Sequence, residues 1–484
     1  MAQTHIGAVG NGLYKNPYPD QRSNLFGSGV ISGDFDGDGI SDLAVSERGG
    51  SRLRVMLGAP WEVGDTGFVI KFVPTTITTD AHNFPMASGD FDGDGRDEIA
   101  LGAYLSAVDG VNSAGRVVVM NRANNGTWAQ QSEIRAGDAW PGSPQDGAFL
   151  GYSLAAGDFN GDGFDDLAIG IVRQSVNGIE NAGAVMIAYG SSNGLVPNGA
   201  QLFNRSNDGL TFAPLEDDSF GNTVAAGDFD DDGNDDLAIG IPRALCNDGV
   251  SRSGAVLEMH GKLGIGITTA HSHIWRPGVQ GIASTCASSA FFGASLAVGN
   301  FDLLDFHADL AIGAPYSDDG GAVHVVYGSD TGLSANGNQR FTPPDWPGIG
   351  STNSFFGSVL AAGLLDRSCP VFCAPSSLAI GAPNTTVAGV EYAGAVWQIA
   401  SGAQLLASTM RPIVANTGLR IGAPHYGDGF GSALAIGDFN DDGLADLAIG
   451  VPYYYDDPDT NAGAVQVLYQ SDYIFVGVFD TNTQ

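Results

Sequence analysis

Residues 151–170, which read GYSLAAGDFNGDGFDDLAIG, form a pattern that recurs with small changes along the chain. Its centre is an acidic loop from Asp158 to Asp166, with oxygen-bearing side chains at loop positions 1, 3, 5 and 9. Short apolar runs flank the loop, 153–156 before it and 167–170 after it, and these runs have the length of strands. The stretch therefore predicts a β-hairpin with the acidic loop at its tip, and its recurrence predicts a repeat architecture.

The spacing of the oxygen-bearing residues is typical of a loop that binds a hard cation. Alternate residues of a tightly curled loop point inward, Gly163 permits the sharp turn, and the carbonyl of position 7 can supply a further ligand. Calcium accepts six to eight oxygen ligands in flexible geometry, whereas magnesium requires a strict octahedron. An EF-hand would need a bidentate Glu at position 12 and flanking helices, and this pattern has neither. We therefore expect calcium.

Five complete loops begin at Asp34, Asp90, Asp158, Asp228 and Asp438. Each is predicted to bind its ion through positions 1, 3, 5 and 9 and the carbonyl of position 7. The predicted ligands, loop by loop, are Asp34, Asp36, Asp38, Ile40 and Asp42; Asp90, Asp92, Asp94, Arg96 and Glu98; Asp158, Asn160, Asp162, Phe164 and Asp166; Asp228, Asp230, Asp232, Asn234 and Asp236; Asp438, Asn440, Asp442, Leu444 and Asp446.

Two degenerate copies lie between the fourth and fifth complete loops. The copy from Phe291 is one residue longer and has Leu304 where an acid is expected, and the copy from Phe355 has lost nearly all its acids. We expect about five calcium ions in all and no ion in either degenerate copy.

Each loop is followed by a second strand, a polar connection, a third strand such as 183–190 and a less regular fourth segment. Four antiparallel strands in each of seven units predict an all-β fold, a seven-bladed β-propeller of four-stranded antiparallel blades with calcium-binding hairpin loops. The predicted single domain, 1–484, divides into blades at approximately 22–82, 83–147, 148–218, 219–290, 291–353, 354–428 and 429–484. Because a propeller must join its ends, we expect 3–14 to add the outer strand of the last blade, with the segment from Tyr473 beside it or in its place.

The composition limits the classes of partner. The chain has 484 residues and a net charge of −34, and 46 of its 54 acids are Asp, the shorter side chain that suits a tight ligand loop. Such a charge argues against nucleic acid and anionic membranes. The sequence contains no run of 18 apolar residues, so no segment is predicted to span a bilayer. The N-terminus reads as a mature sequence with an added start codon rather than a signal peptide, and we expect a monomer.

The repeats resemble the FG-GAP propeller family, which forms the head of integrin α subunits and occurs in many secreted bacterial and fungal proteins. Gly-Ala-Pro begins at Gly313 and Gly381. The Phe-Gly pairs begin at Phe26, Phe220, Phe292, Phe356 and Phe430. The resemblance covers nearly the whole chain and implies the fold and calcium binding.

The family resemblance leaves several functions open, since such propellers serve adhesion, carbohydrate binding and ligand capture. We expect a secreted or cell-surface module for adhesion or ligand binding, with an extracellular protein or glycan as partner. A lectin and an enzyme acting on polysaccharide remain alternatives. An enzyme is not expected, because the elbow-like run 190–194 lies in a turn after a strand and the pair His271 and His273 has no evident third ligand.

Four cysteines bear on the compartment. Cys369 and Cys373 stand where other blades carry the cation loop, and we interpret them as a disulfide that replaces the metal. Cys246 and Cys286 fall in connections on the opposite face of the propeller, so their pairing is feasible. Two disulfides would imply an oxidising compartment, and four buried free thiols are the alternative.

A recognition surface is predicted on the face opposite the acidic loops. Three residues past the glycine that ends each second strand, equivalent positions form a ring that includes Arg173, Arg243, Tyr316 and Tyr453. Arginine and tyrosine are frequent anchors of protein interfaces. The alternative is that these residues merely solvate the rim of a loop.

Overall fold

The computed structural model describes most of the chain between residues 11 and 469. The described ranges are 11–15, 25–47, 52–60, 71–78 and 85–469, apart from gaps at 138, 208, 211–212, 247–248, 250, 280, 283, 287–288, 303–304, 319, 366–375, 402–403, 416–421 and 456–462. Seven four-stranded antiparallel sheets occupy these ranges. The predicted seven-bladed β-propeller is confirmed.

The strands of each blade follow one another in the sheet in chain order, except that the last blade takes its outer strand from the start of the chain. The first strand is β1 (Asn11–Lys15), and the blades are, in order: β2 (Phe26–Gly33), β3 (Asp42–Glu47), β4 (Arg52–Leu57) and β5 (Lys71–Thr78); β6 (Met86–Gly89), β7 (Glu98–Gly102), β8 (Val117–Arg122) and β9 (Trp128–Ile134); β10 (Leu150–Gly157), β11 (Asp166–Ile171), β12 (Ala184–Tyr189) and β13 (Val196–Phe203); β14 (Thr223–Gly227), β15 (Asp236–Ile241), β16 (Ala255–His260) and β17 (Thr268–Trp275); β18 (Ser295–Gly299), β19 (Asp309–Ala314), β20 (Ala322–Tyr327) and β21 (Ser334–Phe341); β23 (Val359–Gly363), β24 (Ser377–Ala382), β26 (Ala395–Ile399) and β27 (Arg411–Ile413), with β22 (Ile349–Gly350) and β25 (Thr386–Val387) as a separate pair; β28 (Ala433–Gly437), β29 (Asp446–Val451) and β30 (Ala464–Leu468).

The last blade joins the start of the chain to its end. β1 pairs antiparallel with β30, from Asn11 opposite Leu468 to Lys15 opposite Ala464, and so forms the outer strand of blade seven. Residues 3–10 and the segment from Tyr473 lie outside the described residues. The pairing covers the edge of β30, which would otherwise present unpaired backbone groups to solvent.

The core lies between neighbouring blades. In one cluster, Phe159 and Val185 of blade three pack with Ile239 and Leu257 of blade four. Position 2 of each complete loop and of the blade-five copy is a phenylalanine no more than 2% exposed: Phe35, Phe91, Phe159, Phe229, Phe301 and Phe439. The loops therefore anchor themselves in the same apolar layers that hold the blades together.

The Phe-Gly pair and the glycine before the third strand form a single contact between blades. Gly183, at φ +88°, bridges Phe220 of the next blade, and a Cβ on Gly183 would lie 2.2 Å from the Phe220 carbonyl oxygen. Blade three uses Leu150 in place of the phenylalanine, opposite Gly115. The glycine is required by this close backbone approach as well as by its positive φ.

Cys246 and Cys286 form a disulfide with Cα atoms 6.1 Å apart. It ties the connection after β15 to the chain that leaves blade four. The predicted bridge between Cys369 and Cys373 lies outside the described residues.

The helical content of the described chain is one three-residue 3-10 turn, Ala407–Thr409. No helix there has the length and apolarity that crossing a bilayer requires.

Candidate metal centres

The five acidic loops share one face of the propeller, because each joins the first strand of its blade to the second. The second and third strands run antiparallel, so their connections lie on the opposite face. This placement follows from local sequence, since in each loop the first strand ends only nine residues before the second begins.

Position 1 organises each loop through its carboxylate. In blade one, Asp34 Oδ1 accepts the backbone N–H groups of Gly37 and Asp38 at 2.8 and 3.1 Å, and Oδ2 accepts that of Gly39 at 2.8 Å. The same pattern holds the loop of blade three around Asp158. The loop is thus preformed by hydrogen bonds to the residue that begins it.

Position 7 is turned so that its backbone N–H donates to the position-5 carboxylate, at 2.9 to 3.1 Å. The donors are Ile40, Arg96, Phe164, Asn234 and Leu444. The same backbone bond forms with five different side chains, and the side chains of Arg96 and Asn234 bond to the position-5 carboxylate as well.

Position 9 fastens the loop to the third strand. Asp42 Oδ2 accepts the N–H of Phe35 at 2.9 Å, and Oδ1 accepts that of Gly58 at 2.7 Å. Asp166 repeats both bonds in blade three. Burial raises the pKa of Asp42 to about 7, of Asp166 to about 8 and of Glu98, its counterpart in blade two, to about 8.

Three of the loops bring acidic oxygens together in groups of three. In blade one the carboxylates of Asp34, Asp36 and Asp42 each offer an oxygen within 4.8 Å of the others. The groups in blades two and four contain position 5 in place of position 9, and they are Asp90, Asp92 and Asp94, and Asp228, Asp230 and Asp232. Blades three and seven carry an asparagine at position 3, so their clusters contain fewer acids.

Position 3 carries buried oxygens that need a partner. Oδ1 of Asp36, Asn160 and Asp230 is inaccessible to solvent and has no hydrogen-bond partner among the described residues. Burial first and then neighbouring carboxylates raise the pKa of Asp36 and of Asp230. Unpaired oxygens and crowded negative charge in a preformed loop are what a bound cation would satisfy, so the residues present fit calcium.

Position 8, which sequence reasoning did not single out, links neighbouring loops. Oδ2 of Asp97, Asp165 and Asp235 accepts the backbone N–H of the first residue in the preceding loop, at 2.9 to 3.0 Å. The position-8 backbone N–H also donates to the carbonyl of the first residue in the preceding loop, and this bond recurs in all seven blades, so that the bonds form a closed ring. The donor and acceptor pairs are Ser41 to Asp438, Asp97 to Asp34, Asp165 to Asp90, Asp235 to Asp158, Ala308 to Asp228, Ser376 to Asn300 and Ala445 to Leu364. The recurrence of an acid at position 8 in three loops was the available signal.

The degenerate copy in blade five is closed on itself. Asn300, at position 1, donates its side-chain amide to the Asp305 carbonyl at 2.8 Å. Asp309 still accepts the N–H groups of Phe301 and Gly328 and has its pKa raised to about 7 by burial. The fastening to the third strand persists although Leu304 stands where the complete loops carry an acid.

The four predicted partner-binding residues are all exposed and follow the second strands of their blades. The backbone N–H groups of Arg173, Tyr316 and Tyr453 each donate to a backbone carbonyl of their own blade. In each case the acceptor lies two residues before the Phe-Gly pair or its equivalent. The Arg173 guanidinium lies 4.9 Å from the centre of the Phe149 ring. Tyr316, 50% exposed, packs against Phe291 at 4.9 Å between ring centres.

Phe149, Phe291 and Phe355 are further residues of this face that sequence reasoning missed. Phe355 contacts Tyr316 from the next blade, at 4.6 Å between ring centres. All three precede the buried residue of the Phe-Gly position and have left-handed backbones, with φ of 64°, 56° and 56°. Blade seven has Gly429 there, at φ 66°. The doubled aromatic in the FFG runs was the available signal.

Comparisons with known proteins show which repeat families and which proteins these repeats are similar to. The FG-GAP repeat family matches residues 86–120, 150–185, 220–257 and 430–468, and the FG-GAP-like repeat family matches 26–101. Integrin alpha pat-2 of Caenorhabditis briggsae is 30% identical over 236 residues, which is 45% of this chain and 18% of the relative. Integrin alpha-PS2 of Drosophila melanogaster is 28% identical over 224 residues, 45% of this chain and 15% of the relative. Integrin alpha-V of Gallus gallus is 30% identical over 193 residues, 39% of this chain and 16% of the relative.

The chain matches less than a fifth of the length of each of these relatives. The matched repeats coincide with the blades that carry complete acidic loops. Together with seven four-stranded blades, they identify the chain as an FG-GAP repeat β-propeller similar to part of the integrin α subunits.

Proposed function

We propose that this protein is a secreted or cell-surface adhesion module, stabilised by calcium, that binds an extracellular protein on the face opposite its acidic loops. The observation that carries the proposal is the exposed ring of Arg173, Arg243, Tyr316 and Tyr453 on that face of an integrin-α-like propeller. The module acts by binding rather than by catalysis.

The aromatic support under this surface favours a binding role. Tyr316 is held between Phe291 and Phe355 across the junction of blades five and six. Holding an aromatic residue at positive φ costs free energy that glycine would not, of the order of 1 kcal/mol. Leu25 and Ser219 have a positive φ at the same turn, so it is the aromatic platform itself that favours binding, because it supplies contact area at low entropic cost.

The charge of the surface indicates the chemistry of the partner. The chain has only 20 basic residues and a net charge of −34, yet the ring presents two exposed guanidinium groups. Arginine can hold a carboxylate through two parallel hydrogen bonds. We therefore propose a protein partner that presents carboxylates to Arg173 and Arg243, next to Tyr316 of the following blade.

The test is binding to cell-surface extract in calcium, with the captured protein identified and its affinity then measured for purified components. The double variant Arg173→Ala with Arg243→Ala should weaken binding at least tenfold and leave the melting temperature unchanged, since both side chains are exposed. Lys262→Ala removes a positive charge at the opposite face and should leave the affinity unchanged.

Equal binding by the double arginine variant would exclude this surface. A glycan array run in parallel separates the main alternative, because retention of glycans without any protein partner would favour a lectin.

A further inference from the structure

Blade four departs from its neighbours at the end of its third strand. His260 ends β16, where blades three, five and seven carry Tyr189, Tyr327 and Tyr469. The imidazole Nδ1 lies 3.4 Å from Asp230 Oδ2 and 3.4 Å from Asp236 Oδ1. These two aspartates are positions 3 and 9 of the blade-four loop, so the ring is directed at the predicted cation site.

The spacing of these three atoms suits a shared ion. Ligand atoms in a tetrahedral zinc site with bonds of about 2.0 to 2.1 Å lie about 3.3 Å apart. His260 Nδ1 is inaccessible to solvent and makes no hydrogen bond within the described chain, and neither does Asp230 Oδ1. Two acidic oxygens and a buried imidazole nitrogen therefore converge at ion-pair distance, with no hydrogen bond of good geometry at the nitrogen.

A second departure, two residues earlier on the same strand, supports the first. Glu258 is 1% exposed, where the equivalent residues of blades three and five are Ile187 and Val325. Its carboxylate is fixed by the Leu333 N–H at 2.6 Å and the Trp275 indole N–H at 2.8 Å, and its Oε1 faces His260 Nε2 at 3.7 Å. A carboxylate behind the second ring nitrogen is the usual orienting partner of a metal-bound histidine.

Blade two shows what the same position does in a site built of oxygens. Asn121 takes the place of His260 and donates its amide to Asp92 Oδ2 and Glu98 Oε1, both at 3.2 Å. The uncharged amide there donates hydrogen bonds to two acids of the loop and cannot ligate a metal through its NH₂ group. The imidazole of His260 can ligate through Nδ1.

We propose that the blade-four loop is a separate metal site, which takes a zinc-class divalent transition metal through His260 Nδ1, Asp230 and Asp236, with Glu258 as the positioning residue behind the imidazole. Imidazole nitrogen binds zinc, cobalt and nickel far better than calcium, whereas loops of carboxylates and carbonyls suit calcium. One propeller would then hold calcium in four loops and a transition metal in the fifth.

Cobalt(II) is the probe, titrated into the full chain in saturating calcium and followed by its visible absorption and by calorimetry. The wild type should bind one equivalent of cobalt that calcium does not displace, and zinc should displace it. His260→Tyr, the residue of blades three and five, should weaken cobalt binding at least a hundredfold, and Glu258→Val should weaken it about ten- to a hundredfold. The proton NMR spectrum of the cobalt-bound wild type should show a paramagnetically shifted imidazole N–H proton, and the spectrum of His260→Tyr should lack it.

His260→Asn, the residue of blade two, is the second variant, in case tyrosine disturbs folding. Calcium stoichiometry at the other loops and the melting temperature in calcium serve as folding controls. The proposal is overturned if calcium displaces all cobalt from the wild type, or if a folded His260 variant binds the same equivalent with the same affinity. Either result would indicate that a positively charged His260 side chain, and not a bound metal, balances the negative charge of the loop acids.

Discussion

At the scale of single residues, His324 shows how one buried side chain sets a pH dependence. It lies on β20, 1% exposed, with its ring centre 5.2 Å from that of Phe292. Burial lowers the pKa of His324 to about 3. The ring is therefore neutral in the folded protein at pH values where the unfolded chain, with an ordinary histidine pKa near 6.5, is protonated.

The expected consequence is a loss of stability in acid. Between about pH 6.5 and pH 3 the unfolded state binds the extra proton, so the free energy of unfolding falls as pH falls, by up to about 1.4 kcal/mol per pH unit. His324→Leu, which installs the residue found at the equivalent position of blade four, Leu257, should remove this component. Urea unfolding of both proteins in chelator from pH 4 to pH 7.5 measures it.

The difference in the free energy of unfolding between wild type and His324→Leu at pH 7.5 reports packing alone and serves as the baseline. Parallel curves for wild type and variant across the whole range would contradict a neutral buried His324.

At the scale of the hairpin, the position-8 aspartates separate two roles of acid in one loop. Asp235 Oδ2 accepts the Asp158 N–H at 3.0 Å across the blade junction, and burial raises the pKa of Asp235 to about 6. A Cβ on Gly157 would lie 2.5 Å from the same oxygen, which explains the glycine before Asp158. The side chain serves as a hydrogen-bond acceptor, and its charge opposes burial.

Two substitutions at Asp235 should therefore have opposite consequences. Asp235→Ala leaves the Asp158 N–H without its acceptor and should lower the free energy of unfolding by about 1 to 3 kcal/mol. Asp235→Asn keeps an acceptor oxygen and removes a buried negative charge, so at pH 7.5 its stability should equal or exceed that of the wild type. Denaturant unfolding in calcium measures both, and a loss in the Asn variant equal to that in the Ala variant would contradict the assignment.

At the scale of the whole molecule, calcium should be a major source of stability. An ion that binds only the folded state adds about 2.7 kcal/mol per site at a hundredfold excess over Kd. Chelator should lower the melting temperature by many degrees, and elemental analysis after dialysis should find about five bound divalent ions. An unchanged melting temperature in chelator, with no metal bound, would remove the calcium assignment.

Closure of the ring is the second property of the whole molecule. Removing residues 1–15 deletes β1 and exposes the edge of β30, so the melting temperature should fall and association through the free edge should increase. Removing residues 1–10 leaves β1 in place and is the matched control. Calorimetry and size-exclusion chromatography measure the two effects, and equal behaviour of both truncations would show that β1 does not close the ring.

The loops, the strands beside them and the number of blades could be predicted from the amino-acid sequence alone. Asp34 accepts hydrogen bonds from backbone N–H groups that lie no more than five residues further along the chain, and Asp42 follows at the end of the same loop. Because these partners are close in the chain, their spacing alone predicts the hairpin. Seven copies of one hairpin pattern then leave few architectures. The roles of the calcium ligands and of the Arg and Tyr ring stay predictions.

The contacts between blades, and the surroundings of the residues that depart from the repeat, could be read only from the folded chain. The position-8 bonds join residues 63, 75 and 77 apart in the chain, and β1 pairs with a strand at the far end. Glu258 and His260 became informative once the fold placed them against the loop of blade four. Periodicity records which residues repeat along a strand, whereas contacts between blades depend on closing the ring, which brings distant segments to hydrogen-bonding distance.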